Sequence, residues 1–207
     1  MQRKPTNRSR FFALCENRKS KVIKLKTPFG IIIFGLILVI LDIYVWGIDI
    51  LPDPAAFLLI IWGIRDLAKE YSIKETAGKA SLWASISLVF SLLPFFRIET
   101  ALLTDSFLLA YALFTFLFLL LFIYSLFQMV LDIARQLERH ELRKKTYTFS
   151  KIYMAVFIGY FFLVFLMRDF PPADPLALGL ALLSTVTGAA LAVTFLIWLY
   201  RFQRAIG

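Results

Sequence analysis

Apolar residues gather in six blocks along this chain: Phe29–Gly47, Ala55–Ile64, Ala80–Phe96, Phe107–Phe127, Ile152–Met167 and Leu176–Tyr200. Polar stretches separate them, and the spacing predicts six membrane-spanning helices paired as three hairpins. On that reading the even-numbered gaps and both tails share one side and hold 21 of the 23 Lys and Arg residues, leaving Arg97 and Arg168 on the other. Cytoplasmic loops retain Lys and Arg, so the bias places both termini in the cytoplasm.

The second block is the short one. Between Pro54 and Arg65 stand ten uncharged residues, roughly 15 Å of helix against a hydrocarbon core of about 30 Å. If this block dipped in and returned, every later loop would change sides and the basic residues would divide 11 to 12. The 21-to-2 split favours a crossing, with Arg65 snorkelling and the helix continuing through Leu67 and Ala68.

The remaining blocks differ in what they present to a neighbour. Phe107–Phe127 is nearly all Phe, Leu, Ile and Tyr, as a lipid-facing helix is. In the last block Ala177, Ala181, Thr185 and Ala189 recur every four residues, and Ser184, Gly188 and Ala192 form a second row. Small residues at that spacing let helix backbones approach closely. Ala80, Ala84, Ser87 and Ser91 make a comparable seam in the third block, and the two small faces are expected to pack together, with a homodimer contact as the competing use. No Gly or Pro interrupts Phe95–Ile158, so the fourth helix is expected to run unbroken from Asp105 into Gln128–Lys145. Its tip would be supported by Asp132–Arg135 and Glu141–Lys145 pairs, with Thr146–Ser150 capping the fifth span. The chain thus divides into a basic cytoplasmic tail, 1–27, and one transmembrane helical domain, 28–207, with a cytoplasmic helical extension near 128–147.

Composition points to the same class: 60% hydrophobic, 18% charged, 22 Phe and a mean hydropathy of +0.76, unlike a soluble domain. A net charge of +9 would suit nucleic acid. It sits in tails and loops beside apolar blocks, however, so the expected partners are the bilayer and its anionic headgroups, not nucleic acid. The tail is either a disordered positive-inside segment or a short helix lying on the membrane surface. Cys15, the single cysteine, lies in that tail and has no internal disulfide partner. The first block has no cleavage signature after it and is read as retained.

The acids gather opposite the basic residues. Asp49, Asp53, Glu99, Asp105, Asp169 and Asp174 all fall in outer turns, two of which end in Asp-Pro. Asp before Pro is a favoured helix start, so Asp53, Asp105 and Asp174 are read as helix caps. Paired carboxylates could instead hold a cation. Asp42 stands apart, about 8–10 Å inside the first block by helical rise. An embedded carboxylate is costly and marks either a protonatable or ion site, together with Asp49 and Asp53, or a hydrated structural group. His140, the sole histidine, falls in the charged stretch, and no zinc, phosphate-loop or serine-hydrolase motif is present. The expectation is a non-enzymatic protein with no cofactor and no metal: a membrane scaffold or accessory subunit, with a membrane-protein partner or a second copy. A small oligomeric transporter or channel using Asp42 is the alternative.

Leu-Asp42-Ile, Ile-Asp49-Ile-Leu-Pro52-Asp53, an apolar run and Gly63-Ile resemble the first hairpin of small uncharacterised multi-pass membrane proteins of Gram-positive bacteria. The likeness covers residues 42–66. Where that pattern has an aromatic and a Gly, this chain has Pro54-Ala55-Ala56. The resemblance implies a bacterial plasma membrane and supplies no mechanism.

Overall fold

The computed structural model describes residues 28–40, 44–45, 48–49, 53–92, 105–167 and 175–206. Six helices account for nearly all of them: α1 (Pro28–Ile40), α2 (Asp53–Glu70), α3 (Lys74–Leu92), α4 (Asp105–Gln136), α5 (His140–Met167) and α6 (Pro175–Ile206). Between α1 and α2, strands β1 (Tyr44–Val45) and β2 (Ile48–Asp49) pair antiparallel, Tyr44 opposite Asp49 and Val45 opposite Ile48. The described residues are all-α apart from this pair. Among the described residues three helices are long and apolar enough to cross a membrane, within Leu109–Gln136, His140–Leu166 and Leu178–Ile206, whereas α1 is apolar but short.

Successive helices pack side by side, α2 on α3, α3 on α4, α4 on α5 and α5 on α6. Phe29 of α1 meets Phe202 of α6 at 5.9 Å between ring centroids, bringing the first and last helices together. Each pair runs antiparallel, so the bundle has a basic end, at the turns 71–73 and 137–139, and a far end, where α4 and α6 begin.

Two glycines set the first pair. A Cβ at Gly35 of α1 would stand 2.9 Å from the Ala56 carbonyl oxygen and 2.7 Å from Ile60 Cγ1. One at Gly63 of α2 would stand 2.9 Å from the Pro28 carbonyl oxygen and 2.6 Å from Ile32 Cγ1. Each helix thus lays an isoleucine over the other's glycine, with the Ile and Gly of each helix about one turn apart. Such contact needs backbones close enough that no side chain fits between them. On its other side α2 buries Phe57, Ile61, Ile64 and Leu67, and α3 answers with small residues, Ala77, Ala80, Ala84 and Ser87.

The core lies toward the basic end. Among the described side chains of α4, burial is confined to Phe122–Ala134, and α5 and α6 contribute Tyr153, Phe157, Leu191, Phe195, Leu199 and Phe202. Phe127 is its hub, with Phe149, Tyr153, Phe195 and Trp198 rings all within 6.0 Å. Tilted and edge-on aromatic pairs of this kind add about 0.5–1.5 kcal/mol each beyond burial.

Two expectations meet a different arrangement. The fourth helix does not continue to Lys145: it stops at Gln136 and α5 begins at His140. The stop is a Schellman cap. Glu138 takes a positive φ of 54°, its N–H donates to the Arg135 carbonyl at 3.1 Å, and the Arg139 N–H donates to the Ala134 carbonyl at 3.1 Å. Absence of Gly and Pro therefore did not guarantee continuity, because a charged residue adopts the left-handed conformation that Gly ordinarily supplies. Nor do the small faces of α3 and α6 meet, since the backbones of these helices do not approach each other. The small face of α3 is covered by its sequence neighbours.

Glu138→Gly is expected to stabilise the protein by roughly 1 kcal/mol, because glycine removes the left-handed strain of an L-residue; thermal unfolding in detergent measures it. Gly63→Ala acts in the other direction, wedging α1 from α2 at a cost of about 1–3 kcal/mol in the same assay.

Candidate functional site

The basic end carries a polar cleft among the described residues. It is an open cleft of about 580 Å³ between the α2–α3 turn and the end of α4, lined by Ser72, Ile73, Glu75, Thr76, Asp132, Arg135, Gln136 and Glu138. The turn is held locally: the Ile73 carbonyl accepts the Ala77 N–H at 3.0 Å and the Thr76 hydroxyl at 3.4 Å. Glu75, Asp132, Glu138 and Arg135 all contribute to this lining. The Lys79 ammonium donates to Glu75 at 2.7 Å, lowering the Glu75 pKa and raising its own. The expected Asp132–Arg135 and Glu141–Lys145 pairs are not formed; the ion pairs among the described residues are Lys69–Asp66 and Lys79–Glu75. Both lie at the surface, where such pairs contribute little. No group of three or more metal-ligating side chains occurs among the described residues.

Around the cleft the surface is basic. Arg135, Arg139, Arg143, Lys144, Lys145, Lys151, Arg201 and Arg204 are all exposed. Lys151 lies over the Tyr147 ring at 4.5 Å and Arg204 over Tyr200 at 5.3 Å. Each pairs a cation with an amphipathic ring, the combination that suits a membrane–water boundary. A second, shallower groove of about 450 Å³ runs along α5 past Glu141, Lys144, Lys145, Thr148, Phe149 and Ile152.

The carboxylates expected in the outer turns are described only in part. Asp42 and Asp174 lie outside the described residues. Asp49 belongs to β2, and Asp53 and Asp105 are the first residues of α2 and α4, but the side chains of all three lie outside the described set. Helix α6 begins at Pro175, directly after Asp174. With those side chains outside the described set, neither the capping reading of Asp53, Asp105 and Asp174 nor the ion site built on Asp42, Asp49 and Asp53 has described geometry.

The small residues of α6 separate into two faces. Ser184 is buried and Gly188 half-buried against α5, where a Cβ at Gly188 would meet the Tyr160 hydroxyl at 2.9 Å. The first row turns away from the bundle: Ala181 is half-buried, Thr185 and Ala189 are exposed, and the Ala177 side chain is not described. Hydroxyls on this helix bond to their own backbone, Ser184 and Thr185 both donating to the Ala181 carbonyl at 2.9 Å and Thr187 to Leu183 at 2.7 Å. Their polar needs are met within the helix, so they serve a neighbour by small size.

Sequence reading missed the buried hydroxyls. Tyr71, Ser87 and Thr146 each hold a buried side-chain oxygen with no hydrogen-bond partner among the described residues. Burial, with Glu70 nearby, raises the Tyr71 pKa well above the usual range. Thr146, expected as a cap for the fifth span, is instead inside α5 and almost wholly buried. Its neighbours Lys144, Lys145 and Tyr147 hide this in the sequence.

No protein-family model matches the chain, and neither a curated protein nor a solved structure shows significant similarity to it.

Thr146→Val keeps shape and removes an unpaired hydroxyl, so thermal stability is expected to rise by about 1 kcal/mol. A fall in unfolding temperature would show that the hydroxyl has a partner in the bilayer-embedded protein.

Proposed function

We propose that the chain is a multi-pass protein of a bacterial plasma membrane, with six helices embedded as three hairpins and both termini in the cytoplasm. It acts without catalysis, as a scaffold or accessory subunit that holds another membrane protein or a second copy of itself. The outward row on α6 carries this reading. Thr185 and Ala189 face away from the bundle between exposed Leu182, Val186 and Val193. In lipid, where apolar surface alone gives helices no reason to associate, small residues facing outward provide close backbone contact to an incoming helix. The basic end supports the orientation, since its exposed Lys and Arg suit the cytoplasmic leaflet and its anionic headgroups. The partial likeness of residues 42–66 to Gram-positive membrane proteins is the ground for the bacterial setting.

Thr185→Leu with Ala189→Leu tests the reading, because both positions lie outside the core. The double variant is expected to lose a co-purifying partner, or to drop in oligomeric state by light scattering in mild detergent, while its unfolding temperature stays unchanged. Association equal to that of the parent protein would remove this face of α6 from any interface.

A further inference from the structure

On α5, Glu141, Lys145, Thr148 and Ile152 follow one another at the spacing of a single helix face, and with Lys144 and Phe149 they line the groove of about 450 Å³. All are exposed except Phe149, which is half-buried. Because α5 runs from the basic end toward the far end, the groove presents its chemistry in a fixed order. A carboxylate is outermost, then two ammonium groups, then a hydroxyl, then an apolar floor. The protein itself does not use these groups. Glu141, Lys144 and Lys145 form no ion pair among the described residues, where the pairs are Lys69–Asp66 and Lys79–Glu75. Nor does the Thr148 hydroxyl make a hydrogen bond among them, whereas those of Ser150, Thr185 and Thr187 donate to carbonyls of their own helices.

Neighbouring rings fix the depth of the groove. Phe149 stacks on Trp198 at 5.1 Å, so on these antiparallel helices Tyr147 stands level with Tyr200. Lys151 reaches back along α5 to the Tyr147 ring and Arg204 back along α6 to the Tyr200 ring, from opposite directions, and the two cations gather at one height. Cations over exposed tyrosine rings at a common height mark a membrane–water boundary. Thr148 adjoins that level. From Thr148 to the end of α5 at Met167 is about 29 Å of helix, close to the thickness of a hydrocarbon core. Glu141, Lys144 and Lys145 thus stand among headgroups, and Ile152 among acyl chains.

We propose that this groove holds one phospholipid with an ethanolamine headgroup. Its phosphate sits on Lys144 and Lys145, an ester carbonyl accepts from the Thr148 hydroxyl, an acyl chain lies over Phe149 and Ile152, and the terminal ammonium donates to Glu141. The carboxylate decides between headgroups. It precedes the two lysines by about 4.5–6 Å of helical rise, a gap that the ethylene bridge between phosphate and ammonium spans. Phosphatidylglycerol brings the phosphate without a cation, which leaves Glu141 unpaired beside a negative charge. Phosphatidylcholine brings a cation with no N–H to donate. The inference rests on the membrane embedding proposed above, but not on which side the basic end faces, nor on the α6 contact.

Lipid titration of the purified full chain in detergent micelles tests the site, with phosphatidylethanolamine, phosphatidylglycerol and phosphatidylcholine of identical acyl chains and the unfolding temperature as readout. The ethanolamine lipid is expected to give the largest rise. Glu141→Gln keeps the shape of the side chain and is expected to weaken the apparent affinity for that lipid about fivefold, to the level of the glycerol lipid. Lys144→Gln with Lys145→Gln is expected to remove the response to both. All three positions are exposed, and each variant is compared with its own lipid-free unfolding temperature. Equal responses of the parent protein to the three lipids, a preference for the glycerol or choline lipid, or an ethanolamine preference that survives Glu141→Gln overturns the site. The reading beneath it fails differently: release of the chain from membranes by alkaline carbonate overturns the embedding. Micelles have no sides, so labelling of Lys74→Cys from outside intact cells by an impermeant maleimide, in a Cys15→Ser background, overturns the proposed orientation alone.

Discussion

The packing around Phe127 sets the register on which the rest of the bundle depends. Rings from α5 and α6 close on it together, fixing how far each long helix slides along the others. Phe127 lies about 33 Å from the start of α4, and Phe195 and Trp198 lie about 30–35 Å from the start of α6, by helical rise. The two helices therefore begin level. Aromatic side chains suit this task because they bury large areas with few rotatable bonds and prefer a small set of ring geometries.

Away from that hub, proximity is achieved by removing side chains. Gly35 and Gly63 let α1 and α2 touch backbone to backbone, the alanines of α3 let it settle against its neighbours, and Gly188 admits the Tyr160 hydroxyl. Ser85, Ser125, Ser184 and Thr187 spend their hydroxyls on carbonyls of their own helices. The described hydroxyl contact between helices is that of Tyr111 with the Phe90 carbonyl, at 3.0 Å. Helix association here thus rests on packing more than on polar bonds, which fits a chain whose helices exchange lipid contact for contact with one another.

The two ends of the bundle do different things with their surfaces. At the basic end the helices are closely packed, cations flank aromatic rings, and a cleft with three carboxylates and Arg135 opens between two turns. Toward the far end the long helices present Phe107, Phe114, Phe165, Leu182 and Val186 outward. The described residues of α4 before Phe122 are exposed or half-buried, whereas Phe122 is buried beside Phe57 of α2. An uncovered apolar surface suits lipid and, beside the small row of α6, a neighbouring helix.

The sequence by itself determined the helical class and most of the helix positions, since long apolar blocks bounded by charges can satisfy their backbone in lipid only as helices. It located the starts of α2 and α6 through Asp-Pro pairs and the continuation of α2 past Arg65, because these depend on local conformational preference. It did not reveal the break at Glu138, where a left-handed turn forms without glycine, nor the burial of Thr146 among lysines. It listed two small-residue rows on α6 without distinguishing which faces inward, and paired the α3 seam with the wrong neighbour. Periodicity defines a face but not what lies opposite it. Tertiary structure alone decided those matters, because they are set by the register of one helix against another, and that register is fixed by contacts such as Phe57–Phe122 between residues distant in the chain.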